Sequence, residues 1–471
     1  MFKVLVEKEV REIIGSTKFA VSFGVCAVLI ILAFYMGAMN YKSSRSHYEA
    51  AVAENRRQLD GITDWFAVQQ FRIFLPPEPV ASLVNGVSND LARITEIRGR
   101  GELNSYESRF GEEPILAIFR FLDLDFLFQV ILSLFAILLC YDAVSGEKER
   151  GTLRLVFSNG VPRAQFLLGK IIGSIVAIGV PLLASIAIGA LLLPMLGVPM
   201  SSVDWARLAL IIGTGLVYIV CFLAISVLIS SLTSRSSSSF LILLVIWIAA
   251  VQLVPRASVL VAGRMVDVPT TDELASKKNK LASQLWQEDR DKMAGFKPTN
   301  TTDMEATMQE FNAFMEKNAN ERDAKNQELA NRLNEDRANK QAIQARLGFN
   351  FARLSPAASF TFAAARLAGT DLGLKNHYGD QAKLYQQTYA AFIKSKTGFN
   401  PGGRMVRIIA DNGKGEKPKP IDPNELPAFQ YASVPLGEEV AAASGDVGLL
   451  AIYALLAFAG AFIAFNRYDL R

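Results

Sequence analysis

The chain of 471 residues lacks the motifs with which proteins do covalent chemistry on their own account. No Gly-x-x-x-x-Gly-Lys-Ser/Thr loop occurs. Gly169, Lys170 and Ile171 miss both the leading glycine and the hydroxyl that such a loop needs to cradle phosphates, so the chain carries no ATP-hydrolysing motif of its own. There are only two histidines, His47 and His377, which excludes an HExxH or other histidine-ligand metal site and leaves both as surface residues. No Gly-x-Ser-x-Gly elbow appears, and no two carboxylates are fixed as a catalytic pair. Cys26, Cys140 and Cys221 all lie in apolar runs without CxxC spacing and read as free thiols between helices. The 49 basic and 45 acidic side chains leave a net charge of +4 with no basic stripe, which excludes a nucleic-acid partner. An enzyme is thus disfavoured, and no metal or cofactor is expected on this chain.

What is present is apolar sequence. Hydrophobic residues make up 51% and charged ones 20%, and mean hydropathy is +0.24. That is too apolar for an ordinary soluble protein and too charged for one that is all membrane. A hydrocarbon core about 30 Å thick takes about 20 residues of helix, and six stretches suit it: 19–39, 115–140, 166–193, 207–232, 236–256 and 447–466. Arg207, Arg235 and Arg256 fence the fourth and fifth, as snorkelling cations would. Arg120, Asp123 and Asp125 open the second and are placed at the outer interface, either as a solvated helix end or as functional intramembrane carboxylates.

Short segments set the orientation. Lys3, Lys8, Arg11 and Lys18 precede the first span; Lys148, Arg150, Arg154 and Arg163 lie between the second and third; Arg235 follows the fourth; Arg467 and Arg471 follow the last. The loop over 194–205 has no Lys or Arg. Six spans with both termini in the cytoplasm satisfy these counts, giving a multi-pass protein of the inner (plasma) membrane, its first span a retained signal anchor.

Two external parts remain, 40–114 and 262–446. The first carries Leu75, Pro76, Pro77, Glu78 and Pro79, then an expected helical stretch and a break at Gly99 and Gly101. In the second, Met304, Met308, Phe311 and Met315, resumed by Leu329 and Leu333, predict a long amphipathic helix or hairpin, packed within one subunit or serving as a stalk that pairs with a second. The 354–371 stretch predicts a helix beginning at Pro356 after Ser355 and ending at Gly369, lying on the outer membrane surface or packed in the external core. Prolines 418, 420, 423, 427 and 435 predict an extended return to the last span.

The segment over 141–165 is the cytoplasmic loop that the topology leaves between the second and third spans. Asp142, Glu147 and Glu149 set acid where positive charge alone is expected, so each needs a partner. Gly151 permits a tight turn, Thr152 can cap a short helix, and Leu153, Leu155, Val156 and Phe157 supply apolar surface on a segment too short to span. Ser158, Asn159 and Gly160 end it, Pro162 begins the next helix, and Lys170 can snorkel to the interface. Ahead of the first span, residues 1–18 predict a helix lying along the inner membrane surface, Val6, Val10, Ile13 and Ile14 on its apolar face and Glu7, Lys8, Glu9, Arg11 and Glu12 on the others.

The acidic pair Glu147 and Glu149, the Gly151, Thr152, Leu153 step, Pro162 with Arg163, and Lys170 make the chain resemble ABC-2-type permeases, in particular the branch linked to multi-copper enzyme maturation and the related group with a large external insertion before the last span. The external LPPEP and LSPAASF segments resemble that group as well. The resemblance implies an all-α polytopic membrane protein with six transmembrane helices, an N-terminal interface helix, a short coupling helix and a mainly helical external domain. It further implies a homodimer or a heterodimer with a related permease, driven by separate ABC ATPase subunits that bind ATP and Mg. The expected ATPase contacts are Glu147, Glu149, Arg150, Gly151, Thr152, Leu153 and Arg154, with Val6, Glu9, Val10 and Ile13 on the interface helix. An exporter is the first functional expectation; the alternative is a membrane-anchored scaffold passing ATPase-driven motion to an external partner. The copper association finds no Met or His cluster here to support it.

Overall fold

The computed structural model describes residues 2–68, 70–88, 93–98, 103–106, 122–297, 304–398 and 420–467. It falls into two compact units, one of residues 1–253 with 353–471 and the other of 254–352. Arg120, Gly99, Gly101, Pro418 and Arg471 lie outside the described residues. The architecture is all-α with six helices long and apolar enough to cross a membrane.

In the first unit, α1 (Phe2–Ile14) precedes α2 (Thr17–Arg57), whose N-cap Ser16 accepts from Phe19 N. Forty-one residues make a helix about 60 Å long, so its polar second half extends well past any bilayer core. After it come α3 (Leu124–Glu149), the short α4 (Thr152–Ser158), α5 (Arg163–Met195), α6 (Ser202–Leu232) and α7 (Ser236–Trp247). Burying a side chain against another helix gains little hydrophobic free energy where the alternative is lipid, so close fit must hold such helices together. Small residues supply it: Phe34 of α2 fills the space beside Gly189 of α5, and Phe128 of α3 that beside Gly215 of α6.

Wide turns interrupt two of the spans, at Leu127–Leu132 in α3 and at Ile248–Leu253 after α7. A π turn frees carbonyls from the ladder, and here side chains from elsewhere take them. Gln129 O accepts from Tyr218 Oη at 3.0 Å and from Ser133 Oγ at 2.6 Å, while Trp247 Nε1 donates to Ser133 Oγ at 2.9 Å. Ser355 Oγ donates to Ala250 O.

The second unit contains α8 (Val254–Met265), α9 (Thr271–Ala294) and α10 (Met304–Ala352). The expected long helix is the 49-residue α10, packed on α8 and α9. Arg322 fastens it to α9, 2.5 Å from Asp289 and over the ring of Trp286. The side chains of Met304 and Met308 lie outside the described residues.

Back in the first unit, α11 (Pro356–Leu367) begins at Pro356 under the cap of Ser355 and ends before Gly369 at φ 66°, as its sequence predicts. Its place is neither of those expected. Ala357, Phe360, Ala363 and Ala364 are buried, and the helix packs against α6 and the last span, α13 (Leu436–Asn466), with Phe360 stacked on Tyr218. An alanine face lets helix backbones approach as closely in this bundle as in any other, so composition alone did not distinguish surface from interior.

Among the described residues no α-helix follows the LPPEP segment. Val80–Ser82 is a single 3₁₀ turn, and the segment is flanked by the strands of a three-stranded antiparallel sheet, β1 (Gln70–Phe74) before it and β2 (Ile94–Arg98) and β3 (Asn104–Tyr106) after it, in that spatial order. Phe71 pairs with Ile97 and Ile73 with Thr95. Alternation decides it: Ile73 and Ile97 turn inward, joining Trp65, Tyr385 and Tyr389 in a separate core beneath α12 (Gly373–Thr397). Residues 426–435 run without helix to α13.

At this end of the bundle the charges are not snorkelling. Arg207 is 3% exposed; its Nε and Nη2 donate to Glu439 at 3.0 Å each, Nη1 to Glu78 at 3.3 Å and Nη2 to Val434 O at 3.1 Å. Asp446, one face further along α13, takes Arg353 at 2.5 Å and Arg366 at 3.3 Å. Asp123 caps α3 by accepting from Phe126 N at 2.9 Å, and Asp125 accepts from Thr361 Oγ1 at 2.9 Å. Both are half-buried structural acceptors rather than members of a solvated helix end.

Removing one partner of a buried ion pair costs about 3–5 kcal/mol. Arg207→Met therefore strands Glu439 and lowers the thermal unfolding midpoint in detergent, whereas Arg207→Met combined with Glu439→Leu recovers much of the loss; equal midpoints for the two variants would contradict the role given to this cluster.

Candidate functional site

At the other end of the bundle, the acids and bases that the sequence sets between the second and third spans each meet a partner. Lys18 of α2 lies 3.1 Å from Asp142 and 2.6 Å from the Tyr141 hydroxyl, with its ammonium over that ring. Lys148 Nζ donates to Ser231 O, and to Thr233 O at 3.1 Å, closing the C-terminal end of α6. Glu149 accepts from Ser236 N at 3.1 Å and Ser236 Oγ at 2.9 Å, which caps the start of α7 from outside that helix. Arg163 Nη1 donates to Phe465 O at 3.2 Å and Asn466 O at 2.7 Å, closing α13. The contacts of Lys148, Glu149 and Arg163 each set a charge against the helix end of opposite dipole, worth about 0.3–1 kcal/mol. The weight of all these contacts lies in number, because together they tie α2, α6, α7 and α13 to one short segment.

Between these ties sits a buried group of charges. Lys170, on the second turn of α5, has its Nζ 2.6 Å from Glu9 Oε2 and 2.8 Å from Glu147 Oε1, and Lys8 reaches the same Glu147 oxygen at 3.1 Å. Glu9, Glu147 and Lys170 are 5%, 2% and 5% exposed. Burial lifts the Glu9 carboxyl above its ordinary range although Lys170 pulls it down. The approach of α1 to α5 depends on Gly169 and Gly173. A Cβ at Gly169 would lie 3.0 Å from Leu5 Cβ, and one at Gly173 2.6 Å from Glu9 Cβ and 3.3 Å from Val6 O. Gly169 and Gly173 form a Gly-x-x-x-Gly groove, whose spacing in the sequence marks a site of close helix approach.

Several expectations change accordingly. Lys170 does not snorkel, and Glu9 does not take a solvent face of α1; it points into the bundle beside buried Ile13, with Val6 and Val10 half-buried and Ile14 exposed. Thr152 does not cap α4. Gly151 holds the cap position at φ 71°, and Thr152 Oγ1 donates instead to Glu147 O at 3.4 Å. Glu147 and Leu153 are buried and so face their own chain rather than the outside. Exposed on this ridge are Glu149, Arg150, Gly151, Arg154 and Leu155, Leu155 at 66%. Beneath it, Phe157, Phe166 and Phe465 cluster at 5.4–5.7 Å, fixing α4 to α5 and α13.

Overpacking of this kind costs about 1–3 kcal/mol. Gly173→Ala should therefore lift α1 off α5, seen as faster proteolysis within residues 2–14 while the bundle core stays protected; unchanged cleavage would rule out the glycine groove as the seat of α1.

Comparison with known proteins places this geometry. Residues 4–470 match the family described as ABC-2 family transporter protein. The chain is 34% identical over 119 residues to the probable ABC transporter permease protein NosY of Stutzerimonas stutzeri, covering 25% of this chain and 43% of that protein. To the probable ABC transporter permease protein NosY of Pseudomonas aeruginosa it is 32% identical over 110 residues, covering 23% and 40%. The matches thus span less than half the length of these curated relatives. On the family match, which runs through all six apolar helices, the chain belongs to the ABC-2 transporter family as a multi-pass membrane permease subunit.

Proposed function

We propose that a separately encoded ABC ATPase docks on the ridge formed by Arg150, Gly151, Arg154 and Leu155, with Glu149 at its edge, and that this complex works as an exporter. The observation that carries the docking site is the contrast along 147–155: Glu147 and Leu153 are buried while Leu155 and Arg154 project from a helix too short to hold itself in place. ATP and Mg belong to the partner. The lysine and arginine counts put this ridge, both termini and α1 on the cytoplasmic side. A second copy, or a related permease, completes the assembly.

The alternative of a mechanotransmission subunit draws on α13. Arg163 holds its C-terminal carbonyls, and Glu439 near its other end is bound by Arg207 together with Glu78 of the LPPEP segment. Reconstituted complex separates the two readings, since ATP-dependent movement of a compound into inverted vesicles requires an exporter.

Two measurements test the docking and the topology. Arg154→Glu combined with Leu155→Asp should lower co-purification of the cognate ATPase by about tenfold or more, as hot-spot losses at interfaces do, with the permease itself still folded; full retention would move the contact elsewhere. Asn159→Cys should react with a membrane-impermeant maleimide only in inverted vesicles, and Ser201→Cys only in intact cells; the reverse pattern would invert the topology.

A further inference from the structure

A lysine eight residues into α5 would ordinarily run its stem along apolar surface and put its ammonium in water. Lys170 instead stays inside and binds two carboxylates from separate segments, Glu9 of α1 and Glu147 of the last turn of α3. Stability alone gives weak reason for this, because well-packed apolar side chains are commonly at least as stable as a buried ion triad. What the triad adds is specificity of attachment. The remaining contact of α1 with α5 includes the packing in the glycine groove, and its other charged contacts with the loop, Lys8 to Glu147 at 3.1 Å and Arg150 to Glu12 at 3.4 Å, are made by exposed cations and do not reach α5. Among the described residues Glu147 Oε2 is buried without a hydrogen-bond partner, and the Glu147 carbonyl accepts from Thr152 at the start of α4. One lysine thus joins three segments, and among the described residues the Glu147 carboxylate is held through Oε1.

We infer that Lys170 is a positioning residue that makes α1, the Glu147 turn and the start of α5 move as one body, so that displacement of α4 by a docked ATPase is delivered to the N-terminal helix and the third span together. The inference rests on the docking reading above. Loss of Lys170 frees α1 to lag behind α5 during the nucleotide cycle without disturbing the exposed ridge on which the ATPase sits.

The test uses the full chain co-expressed with its ATPase and reconstituted, with spin labels at Val4→Cys and Leu168→Cys, both exposed positions. In the parent protein the α1 to α5 separation should be the same without nucleotide and after trapping with ATP and vanadate. In Lys170→Met it should shift or broaden on trapping, and ATP turnover by the complex should fall by about tenfold, within the range of couplings between sites. Lys170→Arg should restore both, and Glu147→Gln, which keeps a hydrogen bond but not the charge, should fall between and stands in if Lys170→Met does not fold. A separation that changes with nucleotide in the parent, or Lys170→Met with unchanged separation and turnover, overturns the inference. So does loss of the ATPase from Lys170→Met alone. Failure of the parent to retain ATPase strikes the docking reading instead; a parent-like α1 to α5 separation in nucleotide-free Lys170→Met then overturns the inference, and a broadened one supports it.

Discussion

A charge inside a bundle that lipid surrounds must bring its counter-charge with it, and that requirement organises this protein from one end to the other. Lys170 brings Glu9 and Glu147 at one end; Arg207 brings Glu439 and Glu78 at the other; Asp446 brings Arg353 and Arg366 between. Each group draws its members from segments far apart in the chain, so each fixes a tertiary contact that apolar packing among similar helices would leave free to slide. Where helices differ little in hydrophobicity, position is set by the few places where only one arrangement satisfies every charge.

The same requirement explains the loop between the second and third spans. Acid at the mouth of a membrane span is unfavourable unless neutralised, and here Asp142, Glu147 and Glu149 are neutralised by Lys18, Lys170 with Lys8, and the N-terminal end of α7. The charge alternation is therefore a wiring pattern, with Lys148 and Arg163 going to the C-terminal carbonyls of α6 and α13 and Arg150 to Glu12 of α1. Any force applied to α4 meets a segment connected to nearly every neighbouring span, and the left-handed turn at Gly151 is the point at which α4 joins it.

Much of this was legible before the structure. Spans need only length and composition, so six of them could be read directly, as could the start and stop of α11 from Ser355, Pro356 and Gly369. The destinations of charges could not. A lone Lys170 or Arg207 near the edge of an apolar run looks the same whether it snorkels to water or turns inward, because the difference lies in a partner a hundred or more residues away. Acid at Glu147 calls for a partner, and Lys170 and Lys8 of the same chain supply it. The sheet was missed for another reason: Gln70–Phe74 and Ile94–Arg98 are short and mixed in polarity, and only alternation of Ile73 and Ile97 toward one core marks them. The signal for α1 was present in Gly169 and Gly173, whose spacing of four calls for a close helix neighbour.

The two ends of the first unit are joined by uninterrupted helices, of which α13 is one. With 31 residues, α13 is about 46 Å long, and its only glycines and polar residues beyond the first three turns leave the hydrogen-bond ladder intact, with neither the proline nor the π turn that bends helices. Arg163, Phe157 and Phe166 hold its last turn to the loop; Arg207 holds Glu439 in its first turn, and Arg353 and Arg366 hold Asp446. A straight helix gripped at both ends cannot tilt at one without loading the ion pairs at the other. The span α6 is likewise free of proline and π turns and is held at both ends, by the ion pairs of Arg207 and by Lys148 on its last carbonyls, whereas α3 and the stretch leading from α7 are each interrupted by a π turn, where a change of direction costs less. The chain thus places two stiff members, α6 and α13, between the two charged ends and its yielding members beside them.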